Sequence, residues 1–272
     1  MENILHTVLE VGLPAPVKIL QITDVHLTQT DPRDPVEQQE HMDHRREVFR
    51  KEANYPPCTP NEYFEEAFAL AEAEGAFPVV TGDVIDVHCI GNIEEFHRIS
   101  DGKDFLFTPG SHEFAKFCRS PKEGDDYHGR YRVIRPSLEA SFPHLNFTFD
   151  SRVIGGVNII TVDNSRDWFP EEVLIKLKAE AEKGLPMVLF MHDPLADHGL
   201  LRIREPHPVV RMPDEVYKIS DQVLEFIDTC PLIKATFSGH WHGETVRSTP
   251  AGVPVYVTPG LFKGICRLIE IR

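Results

Sequence analysis

Long hydrophobic runs are absent from this chain of 272 residues. No apolar stretch approaches the roughly 18 residues that suggest a membrane-spanning helix, so we expect no contact with a membrane. The N-terminal segment contains Glu2, Glu10, Pro14 and Pro16 where a signal peptide would need an apolar core. We therefore predict a cytoplasmic protein.

Cysteine is scarce and its spacing is uninformative. The five cysteines form no CxxC pair and leave one unpaired. This argues against a disulfide framework and against a cysteine zinc site. We expect the thiols to be reduced and mostly buried.

Positive charge is also in short supply, with 28 Lys and Arg against 43 Asp and Glu, which gives a net charge of -15. Broad nucleic-acid binding needs a basic surface that displaces counterions from phosphates, so nucleic acid is not expected as a partner. Bound divalent ions would reverse the field locally, however. The net charge therefore does not exclude a small anionic substrate.

Short apolar runs are what the chain does contain, in an ordinary globular composition of 41% hydrophobic and 26% charged residues. We expect one α/β domain over residues 1–272. Runs of this kind, bounded by Pro, Gly or Asp, are typical of buried strands. They cover residues 17–23, 77–81, 105–108, 187–191 and 235–238.

Each of these predicted strands ends in a cluster of polar side chains. In open α/β sheets, ligands bind in the crevice beyond the carboxyl ends of the strands. The sequence therefore predicts one crevice that gathers all five clusters. They are Asp24-Val-His26, Gly82-Asp83-Val-Ile-Asp86, Gly110-Ser111-His112-Glu113, Met191-His192-Asp193 and Gly239-His240-Trp-His242.

Two connections interrupt this pattern, and we predict that both are insertions at the rim of the crevice. The first covers about 28–60 and contains a charged helix near 36–53, whose charge run from Glu37 to Lys51 we interpret as a solvated face. An amphipathic helix follows, with Asn61 as the predicted N-cap and Gly75 as its end. The second insertion covers 194–213.

The second half of the chain predicts a tight hairpin at Gly155-Gly156 and a helix over 170–184. From Glu244 to Ile271, short strands alternate with turns. Strand and helix alternate early and strands dominate late. This order favours two sheets packed face to face with helices outside.

The five clusters together resemble the calcineurin-like metallophosphoesterase family, whose pattern is D-x-H, GD-x-x-D, GN-H-(E/D), a lone His and GH-x-H in that order. The match covers nearly the whole chain, and five ordered motifs are far more specific than one. The resemblance implies an α/β fold, a four-layer α-β-β-α sandwich of two mixed sheets, with the metal site at the C-terminal ends of strands.

The resemblance also implies two divalent transition-metal ions, and carboxylate and imidazole ligands suit Mn, Fe, Zn or Co. Asp83 would bridge the two ions, and a shared hydroxide would attack phosphorus in line. By the same resemblance, the remaining ligands are Asp24, His26 and His242 at the first metal and His192 and His240 at the second. We add that side chains two apart in a strand point to the same face, so Asp24 and His26 can hold one ion.

The expected acid catalyst is His112, which would protonate the departing alkoxide while Asp86 orients it and favours its protonated form. One residue departs from the family pattern, because Ser111 stands where the family has an asparagine that ligates the second metal. A hydroxyl is a weaker and shorter ligand than an amide oxygen. We therefore predict that Ser111→Asn tightens the second metal.

Several alternatives stay open. A non-catalytic scaffold that acts as a protein-interaction module is the second functional hypothesis, favoured only by Ser111. Within the enzyme class, a phosphomonoesterase, a phosphodiesterase, a pyrophosphatase or a nuclease fits, the nuclease least well because of the acidic charge.

Asp163-Asn164 could line the crevice or start a turn. The nine histidines outside the motifs are interpreted as surface or loop residues, and the second insertion offers candidate substrate contacts: His198, His207, Arg202, Arg204 and Arg211.

Overall fold

Two mixed β-sheets form the centre of the molecule in the computed structural model, which describes residues 3–118, 127–166, 168–195 and 214–272. The first sheet has the strand order β1-β11-β2-β3-β4 and the second β5-β6-β7-β8-β10-β9, where the strands are β1 Asn3–Leu9, β2 Val17–Ile22, β3 Phe77–Thr81, β4 Leu106–Thr108, β5 Phe149–Ile154, β6 Val157–Val162, β7 Met187–Phe190, β8 Ile233–Ser238, β9 Thr245–Ser248, β10 Pro254–Val257 and β11 Ile265–Ile271. The described helices are α1 Val36–Glu52, α2 Pro60–Glu74, α3 Ile90–Ser100, α4 Tyr127–Ser141, α5 Glu171–Ala181 and α6 Asp214–Thr229.

The alternation of side chains along each strand explains how the sheets pack. Ile19 of β2 and Val188 of β7 belong to the apolar cluster between the two sheets. The next residue along β2, Leu20, packs on the outer face of the first sheet with α2, α3 and α4. Leu189 of β7 packs on the outer face of the second sheet with α5 and α6. The result is the predicted α-β-β-α sandwich, and the fold class is confirmed.

The strands that carry the polar clusters run parallel to their neighbours. β2 pairs with β3 and β3 with β4, both in parallel, while β7 pairs in parallel with β8. Parallel neighbours place their carboxyl ends along one edge of a sheet. All five clusters therefore lie at one edge of the sandwich.

The amphipathic helix α2 was predicted with the wrong N-cap. Thr59 holds that position, accepts a hydrogen bond from the Glu62 backbone N–H and forms a capping box, with Pro60 as the first helical residue. Asn61 lies inside the first turn. The predicted end is confirmed, because Gly75 caps the helix with a left-handed φ of 60°.

The prediction of a solvated charged helix was also wrong in part. α1 does form where expected, but Gln38, Met42, Arg45 and Phe49 are buried. α1 is therefore packed against the body of the molecule along one face. Sequence analysis also missed strand β1 and helices α3, α4 and α6.

The predicted hairpin is confirmed by β5 and β6, which are joined through Gly155 and Gly156 with φ of 54° and 95°. All five cysteines are free, but only Cys89 and Cys266 are buried, so the expectation of mostly buried thiols was too strong.

Among the helices that the structure describes, none combines the length and apolar character that a bilayer crossing requires. Most of the second insertion, 196–213, lies outside the described residues, and so do His198, His207, Arg202, Arg204 and Arg211.

Candidate metal centre

The predicted ligand residues converge at the edge of the sandwich, each just beyond a strand end. One group of donors combines Asp24 and His26, which follow β2, with His242, which follows β8. Nε2 of His26 lies 3.0 Å from Nε2 of His242, and Oδ1 of Asp24 lies 3.3 Å from the same His242 atom. These three side chains could hold one cation.

A second group combines Asp83 of the first sheet with His192 and His240 of the second. Oδ2 of Asp83 lies 3.1 Å from Nε2 of His192, and that nitrogen lies 3.4 Å from Nδ1 of His240. The same Asp83 oxygen is 4.0 Å from Nε2 of His26 in the first group. Asp83 therefore lies between the two groups, where a bridging carboxylate has to be.

The spacing of the donors fits divalent cations. Around an ion with bonds of about 2.1 Å, neighbouring ligand atoms lie about 3.0 Å apart in an octahedron and about 3.4 Å apart in a tetrahedron. The closest pairs in the two groups, at 3.0 and 3.1 Å, lie near the octahedral separation, and the pair of His192 and His240 at 3.4 Å lies at the tetrahedral one. Imidazole and carboxylate are also the ligand types that Mn, Fe, Zn and Co accept.

The backbone at these residues is unusual. Positive φ values occur at only seven non-glycine residues of the described chain, and five of them belong to the donor groups: Asp24, His26, Asp83, His240 and His242. Left-handed backbone is costly for residues with a Cβ and persists mainly at functional sites. The positive φ values also correct the expectation that Asp24 and His26 share a face because they are two apart in a strand. The D-x-H and H-x-H pairs converge through turns and not through strand alternation.

Each carboxylate is held by the protein mainly through one oxygen, while the other oxygen is directed at the donors, although Oδ1 of Asp24 also accepts from the His240 backbone N–H at 3.2 Å. Oδ2 of Asp24 accepts hydrogen bonds from the Thr23 hydroxyl at 2.7 Å and the His240 backbone N–H at 3.0 Å. Oδ1 of Asp83 accepts from the His112 backbone N–H at 2.9 Å. The other oxygens, Oδ1 of Asp24 and Oδ2 of Asp83, therefore face the imidazoles.

Hydrogen bonds to the protein also fix two of the imidazoles, those of His192 and His242. Nδ1 of His192 donates to the Thr81 carbonyl at 2.8 Å, and Nδ1 of His242 donates to Glu52 at 2.9 Å. Such bonds fix the tautomer and leave Nε2 with its lone pair for a metal. The turn that carries Asp83 is held from below by Glu113, whose carboxylate accepts from the backbone N–H groups of Asp83, Val84 and Gly110.

Burial and charge act together on these groups. Burial lowers the pKa of His26 to about 4, which keeps the ring neutral and available as a ligand. Burial opposes the charged form of His192 as well, but the Asp83 carboxylate outweighs it and raises the pKa of His192 well above its ordinary value. The negative field that attracts this proton also attracts a cation.

The expected acid catalyst lies beside the Asp83 carboxylate. Nε2 of His112 is 3.8 Å from Oδ2 of Asp83 and 3.3 Å from Sγ of Cys118. Nδ1 of His112 donates to Oδ1 of Asp86 at 2.8 Å. Burial lowers the pKa of His112, but the charges of Asp83 and Asp86 outweigh burial and raise that pKa well above its ordinary value.

Ser111, the departure from the family pattern, is half-buried at the start of the short 3-10 helix His112–Phe114 and makes no capping hydrogen bond. Another carboxylate, that of Asp193, lies close to the second donor group. Its Oδ1 is 3.2 Å from Nδ1 of His240. Asn164, whose role was left open, binds both backbone groups of Asp193 at 2.8 and 3.0 Å. Asn164 therefore fixes the segment that follows His192.

Sequence analysis missed two charged residues of α1. Arg45 forms a two-pronged ion pair with Asp86 at 2.7 and 2.8 Å, and Glu52 binds His242. Arg45, Phe49 and Glu52 recur at intervals of four and three residues, the spacing of one helix face. This periodicity was the available signal, and the dense charge run around it hid it.

The comparisons with known proteins agree with this site. The profile of the calcineurin-like phosphoesterase family matches residues 17–244, and the chain belongs to that family. The protein is therefore a metal-dependent phosphoesterase, a hydrolase of phosphoric esters, and its family implies a dinuclear centre of divalent ions. No curated protein matches the sequence.

Several solved structures are similar to this chain at low sequence identity. A dimetal phosphatase from Danio rerio is 14% identical, with 91% of this chain and 88% of that chain covered and a TM-score of 0.52. A phosphopantetheinyl hydrolase from Mycobacterium tuberculosis is 14% identical over 93% of this chain and 92% of that chain, with a TM-score of 0.42. A 5'-nucleotidase from Candida albicans is 11% identical over 96% of this chain and 47% of that chain, with a TM-score of 0.43. At 14% identity, the likeness to the dimetal phosphatase from Danio rerio concerns the fold alone.

Proposed function

We propose that this enzyme hydrolyses a small phosphomonoester or phosphodiester by in-line displacement, with His112 as the general acid. The observation that carries the proposal is the position of His112, whose Nδ1 is bound to Asp86 at 2.8 Å and whose Nε2 lies 3.8 Å from the Asp83 carboxylate. A leaving-group oxygen beside the donor groups would lie within reach of this nitrogen. A binding scaffold has no need of such a pair.

The proposed ligands are Asp24, His26, Asp83 and His242 for the first ion, and Asp83, His192 and His240 for the second, with Ser111 as a further candidate ligand of the second ion. When bound, the two ions, drawn from Mn, Fe, Zn or Co, neutralise charge on the phosphoryl oxygens and lower the pKa of the water that attacks phosphorus.

The remaining steps belong to the protein's own side chains. Asp86 holds the His112 ring through Nδ1, so that the proton on Nε2 can pass to the departing alkoxide. The Arg45 guanidinium and the imidazoles of His112 and His26 beside Asp86 outweigh its burial and hold its pKa well below the usual range, which keeps it an acceptor. The cytoplasmic location and the exclusion of nucleic acid remain predictions from sequence.

Hydrolysis of bis(p-nitrophenyl) phosphate and p-nitrophenyl phosphate with added Mn²⁺ tests the proposal. We expect His112→Ala to lower kcat on an alkyl phosphate ester by about 10²- to 10⁴-fold, the usual contribution of a general acid, and to lower kcat on the p-nitrophenyl esters by less, while metal binding persists. His144→Ala is the matched control, because His144 is exposed and its ring contacts Phe142 of the apolar cluster on the outer face of the first sheet. Absence of turnover with Mn²⁺, Zn²⁺, Fe²⁺ and Co²⁺ alike would favour the scaffold hypothesis instead.

A further inference from the structure

Helix α1, part of the first insertion, lies directly behind the candidate metal centre. Three of its side chains, Arg45, Phe49 and Glu52, lie on one face and each contacts a different part of the centre. The family pattern of five motifs includes none of them, since α1 lies between the first motif and the second.

Arg45 contacts the residue that orients the general acid. Its side chain is 7% exposed, and its Nε and Nη2 donate to the two oxygens of Asp86, which is fully buried. The same Oδ1 of Asp86 accepts from Nδ1 of His112 at 2.8 Å and lies 3.2 Å from Nδ1 of His26. One carboxylate therefore serves the general acid and a first-metal histidine, and Arg45 sets the plane of that carboxylate.

The other two side chains contact the first-metal histidines. The Phe49 ring stacks on His26 with centroids 4.2 Å apart and planes 22° apart. Glu52 accepts from Nδ1 of His242 at 2.9 Å and is itself paired with Lys263 at 3.1 Å. A carboxylate on the far nitrogen of a metal-ligating histidine fixes its orientation and raises its basicity.

We propose that α1 positions the catalytic centre from behind, with Arg45 orienting His112 through Asp86 and Glu52 orienting His242. The proposal rests on the proposed function for the role of His112, but its metal-binding half does not depend on turnover. Arg45 is a positioning residue, because it reaches the reaction only through Asp86. The planar guanidinium is essential to that role, because it donates to both oxygens of Asp86, whereas a lysine would supply the charge without this two-pronged bond.

The two positions should differ in one measurable way. A general acid matters most when the leaving group is a poor one, because a stable anion departs without a proton. A change at Arg45 should therefore slow an alkyl phosphate ester more than a p-nitrophenyl ester. Glu52 contacts His242 and Lys263 but not His112 or Asp86, so a change at Glu52 should weaken the first metal and leave the dependence on the leaving group unchanged.

The experiment compares Arg45→Met, Arg45→Lys and Glu52→Gln with Arg50→Met, an exposed arginine of the same helix that pairs with Glu47. Metal affinity is measured by calorimetric titration of Mn²⁺ into the metal-free protein. Values of kcat are measured on a series of phosphate esters with leaving groups of increasing pKa.

For Arg45→Met we expect a loss of kcat that grows by about 10- to 100-fold from the best leaving group to the poorest, with an intermediate effect in Arg45→Lys. Glu52→Gln should weaken first-site Mn²⁺ binding about tenfold or more. Arg50→Met should match the unmodified protein in both measurements.

The proposal is overturned if every ester slows equally in both Arg45 variants, or if Glu52→Gln leaves Mn²⁺ affinity unchanged. If Arg45→Met fails to fold, Arg45→Lys and Glu52→Gln decide the matter. If the unmodified protein turns over no ester, the proposed function has failed, and unchanged Mn²⁺ affinity in Glu52→Gln would then overturn the positioning role separately.

Discussion

Gly239, directly after β8, lies in close contact with Thr23 and Asp24 of the other sheet at the metal centre. A methyl group on its Cα would come within 3.0 Å of Thr23 Oγ1 and Asp24 Oδ2, a separation that real Cβ atoms essentially never show. Both neighbours are fully buried and bonded to each other, so neither can move aside freely. We predict that Gly239→Ala destabilises the protein and displaces the Asp24 carboxylate.

The size of the effect follows from the packing. Forcing one extra methyl group into a close-packed site costs about 1–3 kcal/mol. In a chain of 272 residues the unfolding entropy is such that each 1 kcal/mol lowers Tm by about 2 °C, so we expect a fall of about 2–6 °C. Displacement of Asp24, a proposed ligand, should weaken first-site Mn²⁺ binding by about tenfold or more.

The assay combines thermal unfolding of the metal-free protein with calorimetric titration of Mn²⁺. Gly243→Ala is the matched control from the same loop, because a Cβ there meets nothing closer than the Trp241 carbonyl oxygen at 3.7 Å. A Gly239→Ala variant with the Tm and Mn²⁺ affinity of Gly243→Ala would refute the reasoning.

Two further predictions concern Ser111 and Thr59. Ser111→Asn should tighten the second Mn²⁺ without changing the first, because an amide oxygen reaches further and binds a cation better than a hydroxyl; equal affinities in a two-site titration would contradict this. Thr59→Ala should lower the free energy of unfolding by about 1 kcal/mol in urea, because it removes the capping box of α2. An unchanged urea midpoint would show that the cap contributes nothing.

The donor groups could be predicted from sequence because each motif is local. A buried strand followed at once by Asp24, Asp83 or His192 carries its own position in the fold, and parallel pairing then brings the strand ends together. The N-cap of α2 could have been predicted as well. Proline is favoured at the first helical position, so Pro60 pointed to Thr59 and not to Asn61.

The contribution of α1 to the metal centre could not be predicted from the sequence in the same way, because it depends on how the whole helix packs against the rest of the molecule. Arg45 and Glu52 lie in a run of charged residues, most of which are solvated, and residue type alone does not distinguish a buried arginine from an exposed one. The burial of Arg45 follows from Asp86, which is 41 residues away along the chain. Interactions over such separations are set by tertiary packing and leave no local pattern.

Each donor group draws on both halves of the sandwich, since β2 and β3 belong to one sheet and β7 and β8 to the other. A bound cation therefore acts as a cross-link between layers, and the layers cannot separate until it has left. Ligands that bind only the native state stabilise it by about 2.7 kcal/mol at a hundred times their dissociation constant. The lifetime of this fold should accordingly follow the supply of metal as closely as its catalysis does.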